Sequence, residues 1–398
     1  MIRPSNTGLI LLGAAVALEG GRFVAGMPLD STRATNAGSL ATIDLDRDCD
    51  GDDIADQFAT HGGLVDDCDG DGVPDSCELE KAPELDCNGN GVLDACDLAS
   101  GDSEDLNLNG LPDECESELV FEVPGNFSSI GDAIAAAADG AVIEIEAGVY
   151  ETQIEIGATA LTIRGSDDPF NPTVLRGVPS GLVPASVVRI SGPQGSGCRL
   201  EDLVIEDGRN AAVLPDDPLR TGGGGLLVID VGPIVERVVF RGCEADLGGA
   251  ACFVRSTSRV TDCIFDGNVA AEAGGAMASI DGNILVEGGR LVNNVAGTFG
   301  GGLAVRSGTA VIDDVEIREN VANKGGGIHV DGEPDDEPVS VIQSVIVNNQ
   351  SESRGGGIEA VIGGPGVQLV GSLVCDNVID EIAGPVFVDD ASEVCQCG

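Results

Sequence analysis

Residues 265–276 read Phe-Asp-Gly-Asn-Val-Ala-Ala-Glu-Ala-Gly-Gly-Ala, and both halves of this phrase return at a regular interval toward the C-terminus. The Gly-Gly-apolar half begins at Gly224, Gly248, Gly274, Gly301, Gly326 and Gly356, with a degenerate copy at Ala383; the intervals are 24, 26, 27, 25, 30 and 27. The apolar-x-x-Asn half runs from Phe265 to Asn268, Leu291 to Asn294, Ile317 to Asn320 and Val374 to Asn377, and Cys243 and Gln350 take the same slot in their own repeats. Self-similarity at such an interval marks a solenoid, in which each repeat is one coil that only its neighbours can bury. Asn tolerates a left-handed backbone at a sharp bend, and stacked Asn side chains can hydrogen-bond from coil to coil. Glycine permits a second bend and close approach of backbones. A period of this length suits one turn of a three-sided parallel β-helix with coils about 4.8 Å apart.

Composition points the same way. Among 398 residues there is no Trp, one Tyr (Tyr150) and ten Phe, against 59 Gly. A core without aromatic bulk must be built from Val, Ile, Leu and Ala in close, regular layers. Ahead of the repeats, residues 128–138 (SSIGDAIAAAA) carry apolar residues at Ile130, Ala133, Ile134 and Ala137 behind Ser128 as a candidate N-cap, which predicts one short amphipathic helix. Strand-like phrases such as AVIEIEAGVY and ALTIRG follow it. This helix-then-coils order resembles the entrance of pectate-lyase-like right-handed parallel β-helices. The pairing of Gly-Gly-Ala with Phe-x-x-Asn resembles the passenger repeats of chlamydial polymorphic outer-membrane proteins. The expected fold is therefore all-β: a right-handed parallel β-helix over residues 119–398 with a short N-terminal cap helix. No membrane-barrel pattern marks the C-terminal residues, so self-export through an outer membrane is not expected.

The chain holds 68 Asp and Glu against 20 Lys and Arg, a formal charge of −48. Such a field repels phosphate backbones and anionic lipid surfaces, so nucleic acid is excluded as a partner and divalent cations are favoured. The acids are unevenly spread: residues 44–118 hold 25 of them beside only Arg47 and Lys81. There a 12-residue phrase starts at Asp48, Asp67, Asp86 and Asp105, a strict period of 19. It follows the pattern D-x-[DN]-x-[DN]-G-x5-E, in which oxygens at positions 1, 3, 5 and 12 converge on one calcium ion and glycine at position 6 makes the turn.

The second copy supplies Asp67, Asp69, Asp71, Gly72 and Glu78, and the fourth Asp105, Asn107, Asn109, Gly110 and Glu116. The third has Asp86, Asn88, Asn90, Gly91 and the shorter Asp97. The first, Asp48, Asp50 and Asp52, lacks both the glycine, replaced by Asp53, and the terminal acid, replaced by Ala59; a frame shifted by two restores Gly51 and breaks the period. An acid stands at position 9 of every copy: Asp56, Asp75, Asp94 and Asp113. All of these are candidate calcium ligands.

Position 2 is Cys49, Cys68 and Cys87 and then Leu106, whereas position 11 is Phe58 and then Cys77, Cys96 and Cys115. Joining position 2 of one copy to position 11 of the next gives Cys49–Cys77, Cys68–Cys96 and Cys87–Cys115 and leaves over only Phe58 and Leu106. Six cysteines allow 15 connectivities, so this is one scheme among several. The repeats resemble thrombospondin type 3 repeats and, more loosely, dockerin calcium loops. That resemblance implies an array wrapped around calcium, with little apolar core, held by ions and disulfides. Pro74 and Pro112 and the lack of an amphipathic helix between loops argue against paired EF-hands.

An apolar run at residues 9–18 (LILLGAAVAL) follows Arg3 and is too short to span a bilayer. It has the proportions of an export signal over residues 1–26, cleaved between 17 and 26, ahead of a linker over 27–43. Thirteen cysteines in an exported chain then point to disulfides. A secreted or cell-surface location follows, with no transmembrane segment in the mature chain.

No catalytic signature stands out. Asp216, Asp217 and Arg220, the acids Glu333, Asp335, Asp336 and Glu337, and Lys324, Arg354 and Glu352 are the groups that chemistry could use; each also reads as a solvated loop or surface pair. His329 is expected to face outward and His61 to lie in a linker. Seven cysteines remain in the solenoid, Cys198, Cys243, Cys252, Cys263, Cys375, Cys395 and Cys397, an odd number. The favoured reading is a calcium-binding β-helix that acts as a binding or adhesive scaffold for an extracellular polysaccharide or a cell-surface protein. The reading from another class is a calcium-dependent polysaccharide lyase or hydrolase. Several acids converging with an Arg in one concave groove would favour the enzyme, and a flat surface lined by Gly and Asn would favour the scaffold.

Overall fold

The computed structural model describes residues 16–19, 22–27, 39–44, 49, 56–61, 65–68, 70–157, 159–178, 186–192, 197–209, 212–214, 216 and 220–395. The chain divides into two compact units, Met1–Ser117 and Glu118–Gly398.

The second unit is a parallel β-solenoid. Its strands fall into sheets of 18, 10 and 7 members among the described residues. One coil illustrates the rest: Met277–Glu287 lies in the first sheet, Arg290–Val292 in the second and Val295–Ala296 in the third. Stacking is in register, so Leu226, Ala251, Met277, Leu303, Ile328 and Ile358 form one column. Inward columns are β-branched and aliphatic, as the lack of aromatics demands: Val235, Val260, Val286, Ile312, Val341 and Leu369 are all buried. Phe240 and Phe265 stack face to face at 4.8 Å where the core does take aromatics.

At the bend between the second and third sheets runs a buried ladder of Asn268, Asn294, Asn320, Asn349 and Asn377. Each Asn donates from Nδ2 to the Oδ1 of the next at 2.9–3.0 Å, as far as Asn377. Each Oδ1 also accepts the preceding coil's backbone N–H. Two expectations change here. The slot belongs to Asn349 and not Gln350, which lies one residue on in a strand paired with Val321. The left-handed residue is the one before the stacked Asn or its equivalent: Gly242, Gly267, Asn293, Glu319, Asn348 and Asp376. The Asn side chain therefore serves the ladder, while its neighbour takes the strained backbone.

The other bend, from the third sheet back to the first, turns on glycines with positive φ at Gly223, Gly248, Gly274, Gly300, Gly325 and Gly355. In runs of three glycines or more the bend lies one position ahead of the sequence frame, which therefore shifts by one in four of the six copies. The intervals become 25, 26, 26, 25 and 30, more even than the sequence frame.

The cap helix spans Ile130–Ala136, shorter than expected, and Ser129 is its N-cap, not Ser128. Asp132 N–H donates to Ser129 Oγ at 3.1 Å, and Ser129 Oγ donates to Asp132 Oδ2 at 2.7 Å. Ser128 Oγ also reaches Asp132 Oδ2, at 3.2 Å, but Ser129 is the one that accepts the Asp132 N–H, which makes it the cap.

In the first unit the strands Val16–Glu19, Arg22–Met27 and Ser39–Asp44 pair antiparallel. Residues 1–15, 20–21 and 28–38, which carry most of the expected export signal and linker, lie outside the described residues. Disulfides join Cys49 to Cys77, Cys68 to Cys96 and Cys87 to Cys115, the scheme with 28-residue separations. Short helices Asp56–His61, Asp75–Lys81 and Asp94–Ser100 follow the acidic loops, contrary to the expectation of none. Pro74 does not prevent this because it sits at the N-cap, where its missing N–H has no intrahelical partner to lose.

Candidate functional site

Two places bring chemistry-bearing groups together. The first is the acidic loop of the repeat array. In the fourth copy Asp105 accepts the N–H groups of Asn109 and Gly110 at 3.0 and 2.9 Å, which winds the loop around the position-1 carboxylate. Asn107 and Asn109 both donate from Nδ2 to the Glu116 carboxylate, at 2.8 and 2.6 Å. The third copy repeats this with Asp86, Asn88, Asn90 and Asp97. In the second, Asp67 Oδ2 accepts the Gly72 N–H at 3.2 Å, while Asp67 Oδ1 is buried without a hydrogen-bond partner among the described residues. Positions 1, 3, 5 and 12 thus converge in the third and fourth copies.

Position 9 has a different geometry. Asp56, Asp75, Asp94 and Asp113 each accept, through Oδ1, the backbone N–H of position 2 in their own copy at 2.9–3.1 Å. The first three close the loop beside a disulfide, and Asp113 closes it at Leu106, which has none. Asp48, Asp50, Asp52 and Asp69 lie outside the described residues.

The second place is a groove on the solenoid, cut by the glycine bends. One wall is the column Leu247, Ala273, Phe299, Lys324 and Arg354 of the third sheet and its margin. The other is the outward column Ala278, Ala304, His329 and Glu359 of the first sheet, with Ile280, Arg306 and Asp331 beside it. Glycine at the bend lets the walls meet this closely. A Cβ at Gly355 would lie 2.7 Å from Glu359 Cβ, and one at Gly325 would lie 3.0 Å from His329 Cβ. Two adjoining hollows share Arg220, Leu247, Ile280 and Arg306, and the one holding His329 is about 210 Å³.

The sequence places His329 outward, in solvent; it does point away from the solenoid core, but into this groove, and only 4% of it is exposed. Its Nδ1 lies 2.5 Å from Glu359 Oε2, and its ring packs on Phe299 with centroids 4.5 Å apart. Glu359 is fully buried and forms an ion pair through Oε1 with Arg354 Nη2 at 2.6 Å. Burial pushes the Glu359 carboxyl up, but His329 and Arg354 together outweigh it and hold the group below its ordinary value. Lys324 Nζ lies 5.5 Å from the centre of the Phe299 ring. Arg220 pairs with Glu272 at 2.9 Å. Arg306 is exposed and has no ion-pair partner among the described residues.

Of the groups singled out in the sequence, Arg220, Lys324 and Arg354 reach this groove. Asp216 borders it and pairs with Arg255, and Asp217 lies outside the described residues. Glu352 accepts from Asn323 Nδ2 at 3.1 Å, and Asp336 accepts the Glu333 N–H within its own turn at 2.9 Å. Sequence reasoning misses Phe299, Arg306, Asp331, Glu272 and Glu359. A signal exists: the fourth residue after each bend glycine faces outward, and a run of Leu227, Cys252, Ala278 and Ala304 gives way there to His329 and Glu359. Among the remaining cysteines, Cys375 bonds to Cys395, and Cys198, Cys243, Cys252 and Cys263 are free and buried. Cys397 lies outside the described residues.

No protein-family model and no curated protein matches the chain. Among solved structures, similarity is found to pectin methylesterase from Aspergillus niger. Its penultimately deglycosylated form gives 15% identity and a TM-score of 0.33, covering 71% of this chain and 91% of that one. Its deglycosylated form gives 16% and 0.35 over the same shares. The mannuronan C-5 epimerase A-module from Azotobacter vinelandii gives 13% and 0.24, covering 71% of this chain and 97% of that one.

Proposed function

We propose that this chain is an exported, calcium-stabilised β-solenoid that binds an extended polysaccharide in the groove along its glycine bends. The observation that carries the reading is the groove itself. It runs past Leu247, Ala273, Phe299 and Lys324, four successive coils, or roughly 14 Å at the usual strand spacing. That length holds a short oligosaccharide whose repeat is close to the coil repeat. Its floor is Ala278 and Ala304, small enough for close approach of a sugar ring, and Phe299 offers the aromatic face. Four of the chain's 20 Lys and Arg residues, Arg220, Arg306, Lys324 and Arg354, gather here. Glu272 engages Arg220 and Glu359 engages Arg354, so Arg306 and Lys324 are the groove cations without an ion-pair partner among the described residues, and these two favour a glycan bearing carboxylates over a neutral one.

The residues of the array fit calcium. The donors are all oxygen-bearing, which suits a hard cation. Asp67 Oδ1 is a buried carboxylate oxygen left without a partner among the described residues, a costly state that a cation relieves. The amides of Asn88, Asn90, Asn107 and Asn109 meet the terminal acid through nitrogen while their Oδ1 atoms accept the N–H groups of Asn90, Val92, Asn109 and Leu111, so an ion would exchange the Nδ2 bonds to the acid for coordination by oxygen. In this reading Asp67, Asp69, Asp71 and Glu78, then Asp86, Asn88, Asn90 and Asp97, then Asp105, Asn107, Asn109 and Glu116 hold the ions. The sparse first copy, Asp48, Asp50 and Asp52, binds most weakly. Calcium supplies positive charge where the array has little core, and disulfides in the same repeats suit an oxidising, extracellular setting.

Both halves are testable on the full chain. Calorimetry with calcium chloride on chelator-treated protein should show saturable uptake, and Glu116→Gln should remove one site; no uptake at millimolar calcium sinks the array reading. Affinity electrophoresis in gels containing polygalacturonate or alginate should retard the protein, and Arg306→Ala should relieve it. Equal mobility with and without either polymer refutes the groove reading.

A further inference from the structure

We propose that the groove does chemistry, with His329 as the catalytic base of a β-elimination on a uronate unit of the bound glycan. This rests on the polysaccharide-binding reading above. A free surface histidine would be a poor base because nothing fixes its tautomer or orientation. His329 is fixed on both counts. Nδ1 lies against Glu359 Oε2, which makes Nδ1 the donor and leaves Nε2 as the acceptor. The ring is clamped on Phe299, lines the groove, and its Nε2 has no hydrogen-bond partner among the described residues. Glu359 also stabilises the imidazolium once it forms. Because Glu359 is buried and paired with Arg354, its charge is held in place rather than solvated.

The second requirement is a cation for the substrate carboxylate, since charge accumulates there when the neighbouring C–H proton leaves. Arg306 meets it. Ala304 pairs in register with His329, and Arg306 stands two residues on, so both side chains leave the same face of adjacent strands, diagonally opposed. Diagonal neighbours on a sheet lie about 7–8 Å apart, a gap that one sugar ring spans. Arg306 is exposed and without an ion-pair partner among the described residues, although the chain has more than three acids for every cation. Glycoside hydrolysis, by contrast, needs two carboxylates facing each other across the bond. Here a histidine stands diagonal to an arginine, and the nearby carboxylates are spoken for or single: Glu272 holds Arg220, Glu359 holds Arg354 and His329, and Asp331 lies in register with Arg306.

The step balances without a co-reactant. His329 Nε2 takes the proton from C5; the C5–H electron pair becomes the C4=C5 double bond; the C4–O bond breaks with its pair on the leaving oxygen. That oxygen takes a proton from water, and the imidazolium returns its own to solvent. The product is an unsaturated uronide end and a shortened chain.

The test uses the calcium-loaded full chain with polygalacturonate and alginate as probes, reading the ultraviolet absorbance of the conjugated double bond together with gel retardation. The wild type should generate the absorbance on one of them. His329→Gln should lower kcat about 10³-fold, within the range for loss of a general base, with retardation kept. Glu359→Gln, a positioning change, should lower kcat at least tenfold with KM unchanged, whereas Arg306→Ala should raise KM. If His329→Gln does not fold by circular dichroism, Arg306→Ala, whose side chain is exposed, still reports. Retardation without unsaturated product from the wild type overturns the elimination and leaves the binding reading standing. New reducing ends without the double bond also overturn it. Loss of retardation on both polymers overturns both readings.

Discussion

Asn320→Ala is the sharpest probe of what holds the solenoid together. Asn320 is fully buried in the middle of the ladder, with two Asn on either side. Its Nδ2 donates to Leu291 O and to Asn349 Oδ1, both at 2.9 Å. Its Oδ1 accepts from Asn294 N at 3.0 Å and from Asn294 Nδ2 at 2.9 Å. The substitution removes all four bonds and leaves the Asn294 N–H and the Leu291 carbonyl buried without these partners. At about 1 kcal/mol net per bond the loss is about 4 kcal/mol, before any added cost for the orphaned groups. A domain typically stands only about 5–15 kcal/mol above its unfolded state, so the change is a large share of that margin. Urea unfolding of the solenoid, followed by circular dichroism with calcium held constant, should show a clear fall in midpoint with little change in slope. Asn283→Ala is the control: it is exposed on a strand, its Oδ1 accepts the Thr309 N–H at 3.2 Å, and it should cost far less. A loss below about 1 kcal/mol for Asn320→Ala would refute the view that the ladder stabilises the stack.

Acid should unfold the solenoid through its arginine-bound glutamates. Burial pushes Glu206 and Glu201 up, but hydrogen bonds from Arg176 and Arg241 to the first, and from Arg199 and Arg164 to the second, hold both below the usual 4.5. Groups lowered in the folded state stabilise it above their unfolded value and lose that contribution as pH falls through the folded one. The melting temperature should therefore be steady near neutrality and drop below about pH 4.5, less steeply in Arg241→Gln; a flat profile to about pH 3 contradicts this. Replacing Cys68 and Cys96 together by Ser releases a 28-residue separation and should destabilise the array by about 3.5 kcal/mol on the loop-entropy scale, read as a lower urea midpoint for the first unit. Burial pushes the thiols of Cys243, Cys252 and Cys263 up to about 12, so they should resist thiol reagents at neutral pH until urea unfolds the coils. Peptide mapping that finds them labelled in native protein would contradict the structure.

Much of the architecture is legible in residues alone because it repeats. Gly-Gly steps and Asn phrases returning at one interval specify a stack of coils, and the vacancies at Phe58 and Leu106 fit the disulfide scheme the structure contains. Frame errors of one position, such as Gln350 for Asn349, arise because a motif shows that a bend exists and not which residue carries its strained φ. The groove is not legible. His329 and Glu359 sit on successive coils, and Arg306 and Phe299 belong to the coil before them. In the sequence each is a lone polar or aromatic residue in an apolar strand phrase, with the bland reading favoured.

What the sequence determined by itself is therefore the periodic part, the coil length, the acidic loops and their cysteines, since local backbone preference and spacing act within one repeat. What only the tertiary structure decided is which outward side chains meet. Register between coils turns positions a full coil apart in the chain into neighbours on adjacent strands, and the insertion carrying Glu333 and Glu337 leaves that register intact. Burial in the corner at the glycine bends then turns a solitary histidine into one held by a carboxylate.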